Sequence, residues 1–223
     1  MNFKSLYNLF RSHPEGNWIV KPYNAETLYN LIKSNPVKKI LDLGTGIGLS
    51  ASTIALAMEE KKEPDYEIHT VEQKEKCHRL AQELVPEELK KNIKFYLSKF
   101  TIWQTDKIPY QYFSTYESLP ENDYDFILVD GPGPEPIDGN FIDLPPNGDI
   151  IKLLLEDKIK PKTLVFFDGR IQSIRIVERY FSDNFYLILS DPDYNVLERK
   201  DNPVNLNDSK LEMMSKVFPH YLK

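Results

Sequence analysis

The chain has 223 residues, enough for one domain with a substantial core. It is 41% hydrophobic and 28% charged, with a formal net charge of -6; this is ordinary for a globular protein and argues against a nucleic-acid substrate, which calls for a positive surface. No apolar run is long enough to cross a bilayer. Met1 to Ser5 carry no apolar signal segment, and Cys77 is the only cysteine, so no intrachain disulfide is possible and a cytoplasmic location is expected.

Residues 1–22 are mixed and aromatic. A helix is predicted over 24–34, with Asn24 as its cap and Pro36 just beyond its end. Ile40, Leu41 and Leu43 form a short apolar run that stops at glycine, as a buried parallel strand does. Gly44, Gly46 and Gly48 follow at G-x-G-x-G spacing, allowing a tight turn and close approach of a ligand to the backbone. Ala51, Ile54, Ala55 and Met58 then recur at helical spacing, so strand, turn and helix fill 38–60. A second strand spans 67–72 and ends in Glu72, and a helix is expected over 74–84. Further strands are predicted at 92–97, 125–129 and 163–167; the last two end in Asp130 and Asp168. Helices are expected over 147–159 and around Ile174, Val177 and Phe181. Two late strands, 185–189 and 196–200, are joined by a stretch too short for a helical crossover, so they should be antiparallel. Leu211, Met214, Phe218 and Tyr221 suggest a last amphipathic helix interrupted by Pro219.

Alternating strands and helices imply an α/β domain with a mostly parallel sheet covered on both faces. Ligands of such sheets sit beyond the carboxyl ends of the strands. Gly44, Glu72, Asp130 and Asp168 should therefore line one edge. Glu72 lies about 20 residues past the turn, where an adenosine-binding unit carries a ribose-binding acid. Its other reading is an exposed residue opening a charged run. Asp130 and Asp168 equally suit turns, because aspartate favours them.

The glycine spacing resembles the first motif of class I S-adenosylmethionine (SAM)-dependent methyltransferases, and the run from Tyr124 to Pro132 resembles the fourth motif of small-molecule O-methyltransferases. The resemblance covers 37–200. It leaves 1–36 as an N-terminal helical extension and 201–223 as a tail, all within a single domain. It implies a Rossmann-like, doubly wound, seven-stranded sheet with an antiparallel last hairpin. SAM would then be bound by Asp42, Gly44, Thr45, Gly46, Gly48, Glu72, Gln73, Ser98 and Asp130. Asp42 would support the turn and the methionine amine, Glu72 would take both ribose hydroxyls, and Ser98 would face the adenine amine. Asp130, with Asp168 second, would take the proton of a small-molecule or sugar-like hydroxyl acceptor, and Arg170 would hold an anionic acceptor group or a neighbouring acid. The metal-dependent branch of the family ends its fifth strand in Asp-Asn, whereas here Asp168 is followed by Gly169 and Arg170. That departure speaks against magnesium, although Asp130 and Asp168 with waters would still form a site.

Two insertions are expected to decide the acceptor. One, 100–119, holds Trp103, Tyr110, Tyr112, Phe113 and Tyr116; most should pack as a satellite core, with ligand stacking or a homodimer contact as the alternatives. The other, 131–146, is rich in proline and reads as a lid or a surface insertion. His13, His69, His78, His220 and Cys77 show no catalytic constellation. The rival functions are a SAM-binding module without methyl transfer and a nicotinamide oxidoreductase, the latter opposed by Leu49 where a third glycine belongs.

Overall fold

The structure, a computed structural model, describes residues 1–108, 112–133, 136–137, 140–141 and 145–201. Helices α1 (Phe3–Arg11) and α2 (Pro22–Ser34) open the chain, with a 3₁₀ turn at Gly16–Trp18 between them. β1 (Lys39–Leu43), α3 (Leu49–Lys61) and β2 (Glu67–Glu72) make the first βαβ unit. Helices α4 (Glu75–Leu84) and α5 (Glu87–Lys90) lead to β3 (Ile93–Leu97). The hairpin β4 (Phe100–Gln104) and β5 (Tyr112–Tyr116) precedes β6 (Phe126–Val129). Two-residue strands β7 (Pro136–Ile137) and β8 (Asn140–Phe141) pair with each other. The chain continues through α6 (Asp149–Leu155), β9 (Leu164–Asp168), α7 (Ile171–Phe181), β10 (Phe185–Ser190) and β11 (Tyr194–Arg199).

The main sheet has seven strands in the order β10-β11-β9-β6-β1-β2-β3. β3, β2, β1, β6 and β9 run parallel, while β11 pairs antiparallel with β9 and with β10. This is the mostly parallel sheet with a terminal hairpin that the sequence predicts. Parallel strands buried on both faces need apolar residues at every position, and Phe126 to Val129 are all buried. Alternate residues of each strand point to opposite faces. Ile40, Phe126 and Phe166 thus join one core with α3, whereas Leu41, Ile127 and Phe167 join the other with α6 and α7.

The N-terminal extension belongs to the first core. Leu6, Phe10, Leu28 and Ile32 pack in the cluster that holds Ile40 and Phe126. This is why α3 is buried from Leu49 through Met58: the sheet covers one side, and α1 and α2 cover another.

Several boundaries differ from the sequence reading. α2 begins at Pro22, a residue preorganised for the first helical position. Asn24 therefore lies inside the helix, not at its cap. Within the expected helical extension, α1 is a separate helix that the reading of 1–22 did not delimit, and α6 is shorter than 147–159. β11 begins at Tyr194, where Asp191 N–H donates to the Tyr194 carbonyl and tightens the turn. The 100–119 insertion contains the β4–β5 hairpin, whose Trp103, Phe113 and Tyr116 pack against or within the second core while Tyr112 stays exposed. Packing thus describes most of its aromatics, as expected. Tyr110, His220 and the expected helix at 211–221 lie outside the described residues. Among the described residues, no helix is long and apolar enough to cross a membrane.

Candidate cofactor and active site

The order of the sheet reverses at β1, whose neighbours are β2 and β6. A crevice opens beyond the carboxyl ends of strands at such a switch point. The glycine turn fills its floor. Gly44 and Thr45 N–H donate to the Val71 carbonyl at 3.0 and 3.1 Å, and Gly48 N–H donates to the Thr45 carbonyl at 2.9 Å. All three glycines have positive φ, at 109°, 53° and 102°, a region costly for residues with a Cβ. At Gly44 a Cβ would also meet Gly131 N at 2.6 Å, so the turn and the segment after β6 touch through backbone. At Gly46 a Cβ would meet nothing within 4 Å, leaving that backbone open.

Asp42 stands behind this floor. It is fully buried, and its Oδ2 accepts from Ser50 Oγ and Thr70 Oγ1, each at 2.8 Å. Thr70 in turn meets the Thr45 hydroxyl at 2.5 Å. Burial pushes Asp42 up to about 6, against the two hydroxyl bonds. Its Oδ1 is buried without a partner among the described residues. Asp42 thus reaches the turn indirectly, through Thr70 to Thr45, and the start of α3 through Ser50.

Glu72 reaches the front of the turn. Its Oε2 accepts from Gly46 N–H at 2.8 Å, and its Oε1 accepts from Gln73 and Lys74 N–H at 2.9 and 2.8 Å. A carboxylate has about four acceptor positions, so the backbone already takes most of them. Burial raises its pKa, and the backbone bonds counter that rise.

A cavity of about 610 Å³ runs from Glu72, Gln73, Lys74 and Cys77 across Gly44 to Gly46, ending at Asp130, Gly131, Tyr116 and Arg170. Arg170, just before α7, donates from Nη2 to the Asp130 carbonyl and lies 3.4 Å from Asp130 Oδ1. Enclosure drives the Asp130 pKa well up; Arg170 opposes this, and Asp168, Asp42 and Glu72 add to it. Gln73 lines the cavity and donates to the Gly133 carbonyl at 2.9 Å, tying the Glu72 end to the loop after β6.

Four predicted residues do not line this cavity: Asp42 and Gly48, which lie behind its floor, and Asp168 and Ser98, which bond elsewhere. Asp168 accepts from Asn24 Nδ2 at 2.6 Å, and burial is the main cause that raises its pKa. Ser98 is buried, and its Oγ accepts Ser118 N–H at 3.0 Å. Neither side chain is among the groups lining the cavity.

The carboxylates fit a divalent metal poorly. Asp130 is partnered by a guanidinium, which would repel a dication, and Asp168 by an amide. Among the described residues no group of three or more His, Cys, Asp or Glu is placed to hold a metal ion.

Sequence reading missed the N-terminal wall. Glu15, Trp18, Ile19 and Val20 line the cavity across from the glycine turn. Glu15 pairs with Lys76 on α4, and Lys21 pairs with Asp193 at 2.5 Å in the β10–β11 turn. The segment is thus tied at both ends, with Trp18 89% exposed between them. Phe3, Leu6, Tyr7 and Phe10 recur at helical spacing and mark α1, but residues 12–21 carry no such pattern and their partners are remote in sequence.

No protein-family model matches the sequence, and no curated protein matches it. Solved structures do match in fold. A methyltransferase of Podospora anserina, with S-adenosylhomocysteine (SAH) bound, is 14% identical over 89% of this chain and 88% of its own, with a TM-score of 0.61. An O-methyltransferase of Bacillus cereus in complex with SAH is 15% identical over 89% and 90%, with a TM-score of 0.57. The O-methyltransferase TomG of Streptomyces achromogenes, involved in tomaymycin synthesis and in complex with SAM, is 13% identical over 89% of each chain, with a TM-score of 0.55. The chain therefore has the Rossmann-like fold of SAM-dependent O-methyltransferases.

Proposed function

We propose that this protein is a SAM-dependent methyltransferase acting on a hydroxyl group of a small molecule. The observation that carries the reading is a single cavity joining an open glycine turn and Glu72 to Asp130. SAM suits the residues present. The bare backbone at Gly46 leaves room for close approach of a ligand, and Glu72 retains acceptor capacity at Oε2 for one ribose hydroxyl, fewer than the two expected from sequence. When bound, SAM supplies a methyl group already activated on a sulfonium. The protein's share is then to position, desolvate and accept a proton.

Asp130 is the proposed base. Its raised pKa brings it closer to that of the proton it must take, which favours general-base transfer. Arg170 holds the carboxylate and its own carbonyl in place and offsets the charge. Asp168, bound to Asn24 away from the cavity, is assigned to supporting Asn24 and α2 rather than to the acceptor. The acidic net charge favours a small acceptor over a nucleic acid, and the lone cysteine favours a cytoplasmic setting.

Calorimetric titration with SAH tests the reading. Micromolar binding that Gly46→Val abolishes is expected. No heat at several temperatures, and no thermal stabilisation, would reject it.

A further inference from the structure

Asn147 and Asp149 have no role in the reading above, yet both are buried beside the cavity, at 5% and 0% exposure. Asn147 Nδ2 donates to the Gly131 carbonyl at 2.6 Å and to Asp149 Oδ2 at 2.8 Å. Asp149 Oδ1 accepts Tyr116 N–H at 3.1 Å, and Asp149 N–H donates back to Asn147 Oδ1 at 3.2 Å. On either side, Ser114 N–H donates to the Pro146 carbonyl at 3.0 Å and Gly148 N–H to the Ser114 carbonyl at 2.9 Å. The pair bolts the start of α6 to β5 and to the turn after β6.

Both residues whose backbone it holds line the cavity. Tyr116 and Gly131 line the end that carries Asp130. They also touch each other, since a Cβ on Gly131 would meet the Tyr116 hydroxyl at 2.3 Å. Gly131 follows Asp130 directly and abuts Gly44 through its backbone. A shift of the Gly131 carbonyl therefore moves Asp130 against the glycine turn. Among the described residues, Glu72 and Gln73 make no hydrogen bond to the pair itself; Gln73 holds the Gly133 carbonyl, two residues beyond Gly131. Among the described residues Asp149 has no ion-pair partner; a buried carboxylate of this kind is costly unless its oxygens are satisfied, and here each oxygen receives one N–H.

We infer that Asn147 and Asp149 are positioning residues for methyl transfer, setting Asp130 and Tyr116 toward the acceptor while leaving SAM binding untouched. This rests on the methyltransferase reading. The two act as one unit. In Asp149→Asn the new amide group confronts the Asn147 amide, which must turn over to accept from it, and Gly131 then loses its donor. Asn147→Ala removes the same donor.

The test compares the wild-type protein with Asn147→Ala, Asp149→Asn and the double variant. SAH affinity is read by calorimetry, and kcat and KM by transfer of labelled methyl from SAM to a panel of hydroxylated acceptors. The expected result is a kcat about tenfold to a hundredfold lower in each single variant, the scale of a small misplacement of reacting groups. SAH affinity should stay within about threefold, and the double variant should be no worse than Asn147→Ala, as coupled residues behave. Unchanged kcat in folded variants, or equal loss of kcat and SAH affinity, would overturn the inference. If the wild-type protein binds no SAH, the methyltransferase reading fails by itself, and the positioning of the acceptor end for methyl transfer is overturned with it. If it binds SAH but no acceptor of the panel is methylated, hydrogen exchange decides. Faster exchange in 112–118 and 128–133 of Asn147→Ala, at unchanged SAH affinity, supports the inference; unchanged exchange overturns it.

Discussion

A guanidinium nitrogen of Arg170 lies 3.4 Å from the carboxylate of Asp130, and the same nitrogen donates to the Asp130 carbonyl. One side chain thus fixes both the orientation and the charge of the proposed base. The cation lowers a pKa that burial raises.

Replacing Arg170 by methionine keeps volume and removes the charge. The Asp130 pKa then rises further, so its basic form is lost at higher pH. The acid limb of the pH profile of kcat/KM should move to higher pH, as loss of an adjacent cation requires. A limb that stays in place would mean that Asp130 is not the base.

The glycines should separate fold from function. In Gly44→Ala the Cβ meets backbone at 2.6 Å and φ is 109°; strain of about 1–3 kcal/mol is expected to appear as a lower Tm. In Gly46→Ala the Cβ meets nothing within 4 Å, so the cost to the fold is confined to the left-handed backbone, about 1–2 kcal/mol. The same Cβ intrudes on the ligand's path. Gly46→Ala should therefore weaken SAH binding much more than its Tm change suggests, as calorimetry beside thermal melts would reveal.

Burial raises Asp42 to about 6 and Asp149 to about 7, from 3.8. The folded chain therefore holds these protons more tightly than the unfolded chain. Their stabilising contribution is complete below about pH 4 and is lost as pH rises toward 6 and 7, each tenfold difference in proton affinity being worth about 1.4 kcal/mol. Asp149→Asn removes one titrating group. Its Tm should fall less between pH 5 and pH 8 than that of the wild-type protein, whatever its absolute stability. Parallel Tm curves for the two would refute the assignment.

The segment from Glu15 to Val20 is held over the cavity by two exposed ion pairs, Glu15 with Lys76 and Lys21 with Asp193. Exposed pairs contribute little to stability and are screened by salt. Glu15→Gln should leave Tm unchanged while speeding SAH release in stopped-flow experiments. High salt should accelerate release in the wild-type protein more than in the variant, which keeps one of the two pairs, Lys21 with Asp193, to be screened.

Much of this architecture was legible from local pattern. Apolar runs ending at Gly44, Glu72, Asp130 and Asp168 mark parallel strands because both faces of such strands must be buried. The short joint before Tyr194 dictated an antiparallel hairpin because no crossover fits in it. Gly44, Gly46 and Gly48 announced positive φ, a demand that few other residues meet. These features are set by chain geometry within a few residues, so the sequence alone determined the parallel strands, the terminal hairpin and the glycine turn.

Partner choice was decided only by the tertiary structure. Asn24 suits a helix cap, yet it bonds Asp168, 144 residues away. Ser98 suits an adenine contact, yet its hydroxyl accepts from Ser118. Asn147 and Asp149 read as the start of a helix, and nothing near them in sequence announces Gly131 or Tyr116. A polar side chain bonds whichever group the packed core brings within 3 Å or so, and that choice is made by contacts between segments far apart along the chain.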